Sequence, residues 1–463
     1  MEKRVRDQVE QPKTVDIAEI VETQEKGWFP LSIFLMCCLV MLVDGFNQQS
    51  LNYAAPAIIK DWGINRAMMT PVFDINIFGW MLGSIGFSML ADRIGRRNSI
   101  LLAVFVFAIF TLALPLATNL VELSVIRFIS ALGIGGGMPM AIALVADYAQ
   151  TRNRGLKITL LYLGYTGGSS GGGFLAAALT GNGFGWQSIF LVGGIVSLLI
   201  GVVLFFALPE SVRYLVLKHA PKERILSYAH RLKPHAGFDS QTQFISQEAT
   251  RKGVPVKHLF TEGRSAMTLF LWFALGFSFV THFFLSAWLA TLFSEYSNQM
   301  SIPTAQMTSA LFQAGAGFAW CVGYMLDKRG IQAVTWVMLL GAIPVAALGL
   351  TGLGTGLTMA LALVAGILVL GGGIGLNAIS GMVYPTFIRS TGTGSAFAAA
   401  RIGALLGPAI AGYLIYIETP LPLIFLVGAL PMLAAAAGTF MLEKSMTPDA
   451  VREMASKSAL ARH

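Results

Sequence analysis

Residues 86–97 read G-F-S-M-L-A-D-R-I-G-R-R, and residues 323–330 read G-Y-M-L-D-K-R-G. In each, a long apolar block ends on Asp, a basic residue, any residue and Gly, and a second apolar block follows at once. Each is therefore a short charged hinge between two membrane-length segments, and its occurrence twice marks an internal duplication. Working outward, apolar blocks fall near 29–51, 70–91, 98–117, 121–146, 155–180, 186–208, 266–294, 304–326, 331–350, 356–382, 386–416 and 421–442. Crossing a bilayer takes roughly 20 mostly apolar residues as a helix. The blocks run continuously and do not alternate every second residue, which points to helices and excludes a closed barrel. Composition agrees: 55% of the 463 residues are hydrophobic and 12% charged, against about 25% charged in ordinary soluble domains.

The expected fold is all-α and integral to the membrane, with twelve transmembrane helices in two pseudo-symmetric six-helix bundles. The duplication supports this beyond the hinges. The fourth and tenth blocks share glycine-rich cores, G-I-G-G-G-M-P at 133–139 and G-G-G-I-G-L-N at 371–377. The fifth carries Gly164, Gly168 and Gly172, the eleventh Gly403 and Gly407, the small-residue spacing that lets helices approach closely. Parallel repeats of this kind are the ground plan of secondary transporters that rock two halves about a midplane site. The expected divisions are a tail at 1–28, a first bundle at 29–208, a linker at 209–265, a second bundle at 266–442 and a tail at 443–463. The linker is polar, with Pro221, Pro234 and Pro255, and short amphipathic helices are expected near 221–233 and 240–250.

Charge fixes the orientation. With both termini inside, all but four of the 32 Lys and Arg residues fall on the cytoplasmic side. The exceptions are Lys60 and Arg66 in the first outer loop and Arg127 and Arg401 within helices. Lys and Arg collect on the cytoplasmic side of membrane proteins, so the net charge of +8 reports topology and not nucleic-acid binding. The first 27 residues are polar and mixed in charge, so no cleaved signal peptide is expected and the first helix serves as the insertion signal. Cys37, Cys38 and Cys321 have no metal-ligand spacing and read as packing residues. The glycine-rich runs lack a following Lys-Ser/Thr, so neither a nucleotide nor any other cofactor is expected, and no enzymatic centre is visible.

Ionisable residues within membrane helices mark functional sites by default. Asp44 stands inside the first helix and Asp74 about one turn into the second. Arg127 and Arg401 are the cations within helices, one per half; a guanidinium's planar fork suits a carboxylate. For each Arg the alternative is a permanent pair with a protein acid, which for Arg127 includes a relay with Asp44. His282 in the seventh helix is of a type that titrates near neutrality, or else satisfies a packing need. Asp92, Arg93, Arg96 and Arg97 form the first hinge, where Asp92 is expected to meet a helix N-terminus of the opposite half, latching the cytoplasmic side shut in one state and releasing it in the other. Asp327 repeats this more weakly, and Asp147 and Arg389 are assigned to the same gate. Aromatic residues in or near the core, Tyr384 and Phe397 among them, are candidates to stack on a ring.

The hinge at 92–97, and Arg127 followed by Gly133 and Gly135, resemble motifs of the major facilitator superfamily, with Ser88 standing where Gly is usual. A narrower resemblance covers about 30–442. D-G-F-N at 44–47, F-G-W-Q-S-I-F at 184–190, L-P-E-S-V-R-Y-L at 208–215, Y-P-T-F-I-R-S-T-G-T-G at 384–394 and A-R-I-G-A-L-L-G-P at 400–408 are similar to the aromatic acid:proton symporter family. That resemblance implies import of an aromatic or other organic carboxylate with protons, in the bacterial inner membrane, by a monomer. It makes Asp44 a proton-coupling residue and Arg401 a substrate ligand. The family usually has a second Asp where this chain has Asn47, which binds but exchanges no proton; Asp74 is the candidate replacement, with Asn47 and Arg127 among the substrate contacts. Asp147 stands where the family more often has Glu. Other readings are an exporter or drug:proton antiporter of the same fold, a sugar or other small-solute carrier, and a non-transporting sensor.

Overall fold

The computed structural model describes residues 14–25, 27–239, 242–245, 256–261, 263–297, 300–384 and 388–446. The chain enters through a short strand, β1 (Thr14–Asp16), and helix α1 (Ile17–Glu22). Then come α2 (Trp28–Trp62), α3 (Thr70–Ile94), α4 (Arg96–Ala113), α5 (Leu120–Tyr148), α6 (Arg154–Gly181) and α7 (Gln187–Ala207). The connecting region holds α8 (Val212–Leu217), α9 (Lys222–Leu232) and β2 (Gln243–Ile245). The remainder is α10 (Ser265–Thr291), α11 (Ile302–Ala314), α12 (Ala319–Arg329), α13 (Ile331–Ala347), α14 (Thr355–Val383), α15 (Arg389–Tyr416) and α16 (Leu421–Lys444).

Among the described residues nine helices are long and apolar enough to cross a membrane, and α13 is a shorter apolar helix. The expected fifth span is α6, long but diluted by Gly, Ser and Thr. The expected eighth is broken into α11 and α12 by a 3-10 turn at Gly315–Phe318. The first helix runs eleven residues past its expected end at 51, to Trp62, because the polar run Asn47–Asn52 is buried inside the bundle and does not end the helix.

Both duplicated hinges are explained by one backbone demand. Gly95 separates α3 from α4 with φ 95°, and Gly330 separates α12 from α13 with φ 64°. A side chain disfavours this region, so the fourth hinge residue is glycine. Helix α5 starts on a cap: Asn119 accepts from the Glu122 amide, while the Glu122 carboxylate accepts from the Thr118 amide and hydroxyl.

Helices α2 to α7 pack among themselves, α2 on α6 and α5, and α3 and α4 on α5; α10 to α16 do likewise, α10 on α15 and α16. We call the end where α2 starts proximal and the opposite end distal. The two groups touch through α11 on α6 and α2, α15 on α3, and α10 on α2. The side-chain contacts between them lie from mid-helix to the distal end: Phe73 edge-on to Trp288 at 5.1 Å, Arg66 over the Tyr296 ring at 5.4 Å, and Gln306 to the Tyr53 carbonyl at 2.8 Å. The distal end is closed.

Two expectations about the polar segments are corrected. A helix near 240–250 is replaced, over its described part, by β2, which pairs in parallel with β1 (Thr14 opposite Gln243, Asp16 opposite Ile245). The helix expected near 221–233 is α9. The first tail is not merely polar: Ile17, Ile20 and Val21 are buried in one cluster with Leu215, Ile225 and Leu232. Thr151 donates to the Glu22 carboxylate from both its amide and its hydroxyl, which holds that carboxyl below the usual glutamate range. Backbone pairing explains the strand: a lone extended segment leaves its amides unmatched, and the linker supplies them.

Close helix contact predicts sharply different outcomes for two glycines of α6. A side chain at Gly168 would run into the Leu42 carbonyl, whereas Gly171 has open space. Gly168→Val should lower stability in detergent by about 1–3 kcal/mol or more and cut the yield of monodisperse protein. Gly171→Ala should leave both at or above the parent level in the same unfolding assay.

Candidate functional site

Asp44 is fully buried in α2, and neither carboxylate oxygen has a hydrogen-bond partner. It faces α5 where that helix is bare: a Cβ on Gly137 would lie 3.2 Å from its Oδ1. Its neighbour Gly45 lies against the backbone of Tyr165 on α6. Tyr165 is within electrostatic reach of both Asp44 and Arg401. The sequence reading did not single out this tyrosine; only its place on the glycine-rich face of α6 hinted at it.

Arg401 projects from α15 onto α3. Its guanidinium carbon lies 3.4 Å from the centre of the Trp80 ring, and its Nη1 is buried without a hydrogen-bond partner. Trp80 continues to Phe283 (6.2 Å), and Phe283 to Phe279 (5.9 Å) and His282 (4.7 Å) on α10. The cation is therefore held by an aromatic face, a contact worth roughly 0.5–2 kcal/mol, and that face accepts no hydrogen bond from the buried Nη1. Phe397 lies four residues before Arg401 and so on the same face of α15, one turn nearer the proximal end.

Arg127 behaves differently. It is fully buried within the first helix group and pairs with no acid. Its Nε donates to Asn76 Oδ1 (2.9 Å), Nη2 to the Asn47 carbonyl (2.6 Å) and Nη1 to Ser50 Oγ (3.4 Å). The relay with Asp44 is not made, and its donors face protein acceptors and no ligand. Asn47 also turns away from the junction, its Nδ2 donating to the Val43 carbonyl (2.7 Å) and Ser197 Oγ (2.8 Å). Asn76 was missed because an amide in an apolar helix carries no charge to flag it. Tyr384 is likewise not at the junction: its ring is buried against Gly392, and its hydroxyl reaches Thr268 Oγ1 at 3.3 Å. Asp74 is half-buried near the distal end of α3, its Oδ1 without a partner.

At the proximal end the expected latch is not formed among the described residues. Asp92 and Arg93 are exposed, and Asp92 meets no helix of the other group. The helix N-terminus that is capped belongs to α4, and its anion is Glu210. The Glu210 Oε1 accepts from the amides of Arg96 (2.9 Å), Arg97 (3.1 Å) and Ser211 (2.8 Å). Asp147 pairs with Arg96 and accepts from the Ser211 hydroxyl. Arg97 donates to the Leu208 carbonyl (2.6 Å), and the Tyr148 hydroxyl to the Glu210 carbonyl (2.6 Å). All these partners lie in the first helix group or the segment leaving it. The Tyr214 hydroxyl donates to the Arg93 carbonyl (2.7 Å), and burial with the neighbouring Glu210 charge pushes that phenol up from its usual range. Glu210 and Tyr214 sit in the quoted run L-P-E-S-V-R-Y-L, but nothing local said which helix end they would reach. The side chains of Asp327 and Arg389 lie outside the described residues.

Known proteins place this geometry. A Major Facilitator Superfamily model matches residues 37–387. The chain is 33% identical to a gallate transporter from Pseudomonas putida, over 91% of this chain and 94% of that one. It is 32% identical to the 4-hydroxybenzoate transporter PcaK of Pseudomonas aeruginosa, over 85% and 88%. Among solved structures it resembles a bacterial homolog of the human lysosomal transporter Spinster in an inward-facing, occupied conformation (TM-score 0.71, 16% identity, 91% and 98% covered). It also resembles the xylose transporter XylE from E. coli in a partially occluded inward-open conformation (TM-score 0.67, 15% identity, 89% and 97% covered). The fold is that of a multi-pass membrane carrier and not of an enzyme. The chain belongs to the major facilitator superfamily and, within it, to the aromatic acid transporter family.

Glu210 is the side chain on which the proximal cluster turns. Glu210→Ala leaves three amides without their anionic acceptor, and should cost about 2 kcal/mol or more of stability. Glu210→Gln, which keeps the acceptor oxygen, should lose less than half of that in the same unfolding measurement.

Proposed function

We propose that this protein imports an aromatic carboxylate, such as a hydroxybenzoate, together with protons by alternating access. The observation that carries the reading is Arg401: a cation at the junction of the two helix groups, stacked on Trp80, with a buried N–H that has no protein acceptor. A carboxylate supplies that acceptor, and the wall of Trp80, Phe283 and Phe279 suits a ring. The gallate and 4-hydroxybenzoate relatives support the substrate class.

The rocking bodies are residues 29–208 and 266–442, together spanning the bilayer twelve times, with 209–265 as their linker. The termini are cytoplasmic in the bacterial inner membrane, as the Lys and Arg distribution indicates. The proximal end is then the inner one, and the arrangement described above is inward-facing. Asp44 carries the coupled proton: a buried carboxylate with no partner is costly when charged. Asp74 is a second proton candidate. Phe397 lines the substrate path beside Arg401, and the hinge residues Asp92, Arg93, Arg96, Arg97 and Asp147, with Asp327 and Arg389, form the inner gate. The carrier works as a monomer.

Proteoliposomes with an imposed proton gradient test this. 4-Hydroxybenzoate should accumulate when protons flow inward, and a gradient that instead drives it out would make the protein an exporter. Arg401→Ala should weaken apparent affinity roughly 10–150-fold, the equivalent of a lost charged hydrogen bond. Arg401→Lys should recover only part, lacking the planar fork. Asp44→Asn should abolish gradient-driven accumulation while leaving binding measurable by thermal shift. Stabilisation by sugars or cationic drugs alone would overturn the substrate class.

A further inference from the structure

We infer that Gln306 is the clasp that holds the distal gate shut, and that the gate's equilibrium is set through this one neutral amide. Gln306 belongs to α11 and is fully buried, yet both ends of its amide bond across to the other helix group. Its Nε2 donates to the Tyr53 carbonyl on α2 at 2.8 Å, and its Oε1 accepts from the Thr180 hydroxyl on α6 at 2.6 Å. Around it the seam is close. Gly173 leaves room for Ala310 and the Tyr53 ring, and Gly181 lies against Pro303. The Tyr53 hydroxyl is itself tied to the Ser169 carbonyl at 2.7 Å, so the acceptor helix is fixed to α6.

A buried amide must have partners, and here they come only from across the seam. When the halves part distally, α11 must leave α2 and α6 together, both bonds break at once, and water replaces them. A neutral clasp suits such a gate: two bonds of this kind are worth about tenfold or somewhat more in the closed-to-open ratio, enough to hold it and not enough to lock it. A charged pair buried in the same seam would be far harder to open and close. Gln306 touches no substrate in this account; it is a positioning residue. The inference rests on the alternating-access reading but is tested without transport.

The test is distal accessibility. Ser309→Cys places a thiol at a buried site three residues deeper on the same face of α11, in a chain carrying Cys37→Ala, Cys38→Ala and Cys321→Ala. A membrane-impermeant maleimide is applied from the distal side, with no transport substrate present. Gln306→Ala and Thr180→Val should each raise the labelling rate several-fold, Thr180→Val by the smaller factor. Gln306→Glu adds a readout that loss of packing would not produce. Its carboxylate cannot donate to the Tyr53 carbonyl, so labelling should be fast at pH 8. Rates are taken relative to the parent at the same pH, because the reactive thiolate thins out in both as pH falls; that ratio should drop towards one at pH 5, where protonation restores a donor. Equal labelling in parent, Thr180→Val and Gln306→Glu at both pH values would overturn the clasp. Should Gln306→Ala fail to fold, the other two variants decide. Labelling changes in a protein that moves no aromatic acid would leave the clasp standing and sink the substrate reading; unchanged labelling with intact uptake would do the reverse.

Discussion

Helices in lipid must pair every backbone group internally, and to pack without a hydrophobic drive between them they must come close. In this chain closeness is bought by glycine at particular points: Gly168 under the Leu42 carbonyl, Gly83 against Leu132, Gly403 against Gly276 and Gly366 against Phe312. With backbones this near, carbonyl oxygens become reachable by side chains of adjacent helices. The polar chemistry of the protein is built on that. Arg127 is held by the Asn47 carbonyl, Gln306 by the Tyr53 carbonyl, and Trp288 Nε1 donates to the Pro408 carbonyl at 3.1 Å.

The same constraint separates the two intramembrane arginines, which look alike in sequence. Arg127 on α5 lies where α2 and α3 converge on it, so two neighbouring helices fill its donors with neutral acceptors and it becomes part of the scaffold. Arg401 lies where α15 meets α3 across the junction, and the group opposite is the face of Trp80, which attracts the charge but accepts no directed hydrogen bond from the guanidinium's edge. One cation is consumed by structure; the other is presented. Asp44 is presented in the same sense, since Gly137 on α5 faces it in place of a cation.

The two ends of the molecule are held by different kinds of force. At the distal end the seam is closed by aromatic edges, Arg66 over the Tyr296 ring, small residues and one amide. At the proximal end the contacts are ionic, and each satisfies the first helix group and its connector: Glu210 on the start of α4, Asp147 on Arg96. The connector and first tail, joined as β1 and β2, form a small buried cluster beneath that group.

Much was legible in the sequence, for physical reasons. Long apolar blocks can only be membrane helices, the hinge glycines at 95 and 330 meet a backbone demand that glycine alone meets cheaply, and an unpaired charge in an apolar block stands out by its cost. Asp44 and Arg401 could therefore be named in advance. What a charge or an amide touches is another matter, because partners come from helices distant in the chain. Only the packing decided that Asn47 turns to Ser197, that Tyr384 is buried beside Thr268, that Glu210 and not Asp92 caps a helix, and that Gln306 spans the seam. By itself the sequence determined which segments enter the membrane and which residues are costly there. The tertiary structure decided which of those costs are met inside one bundle and which are left at the junction, since hydrogen bonding acts over a few ångströms and only folding brings its partners that near.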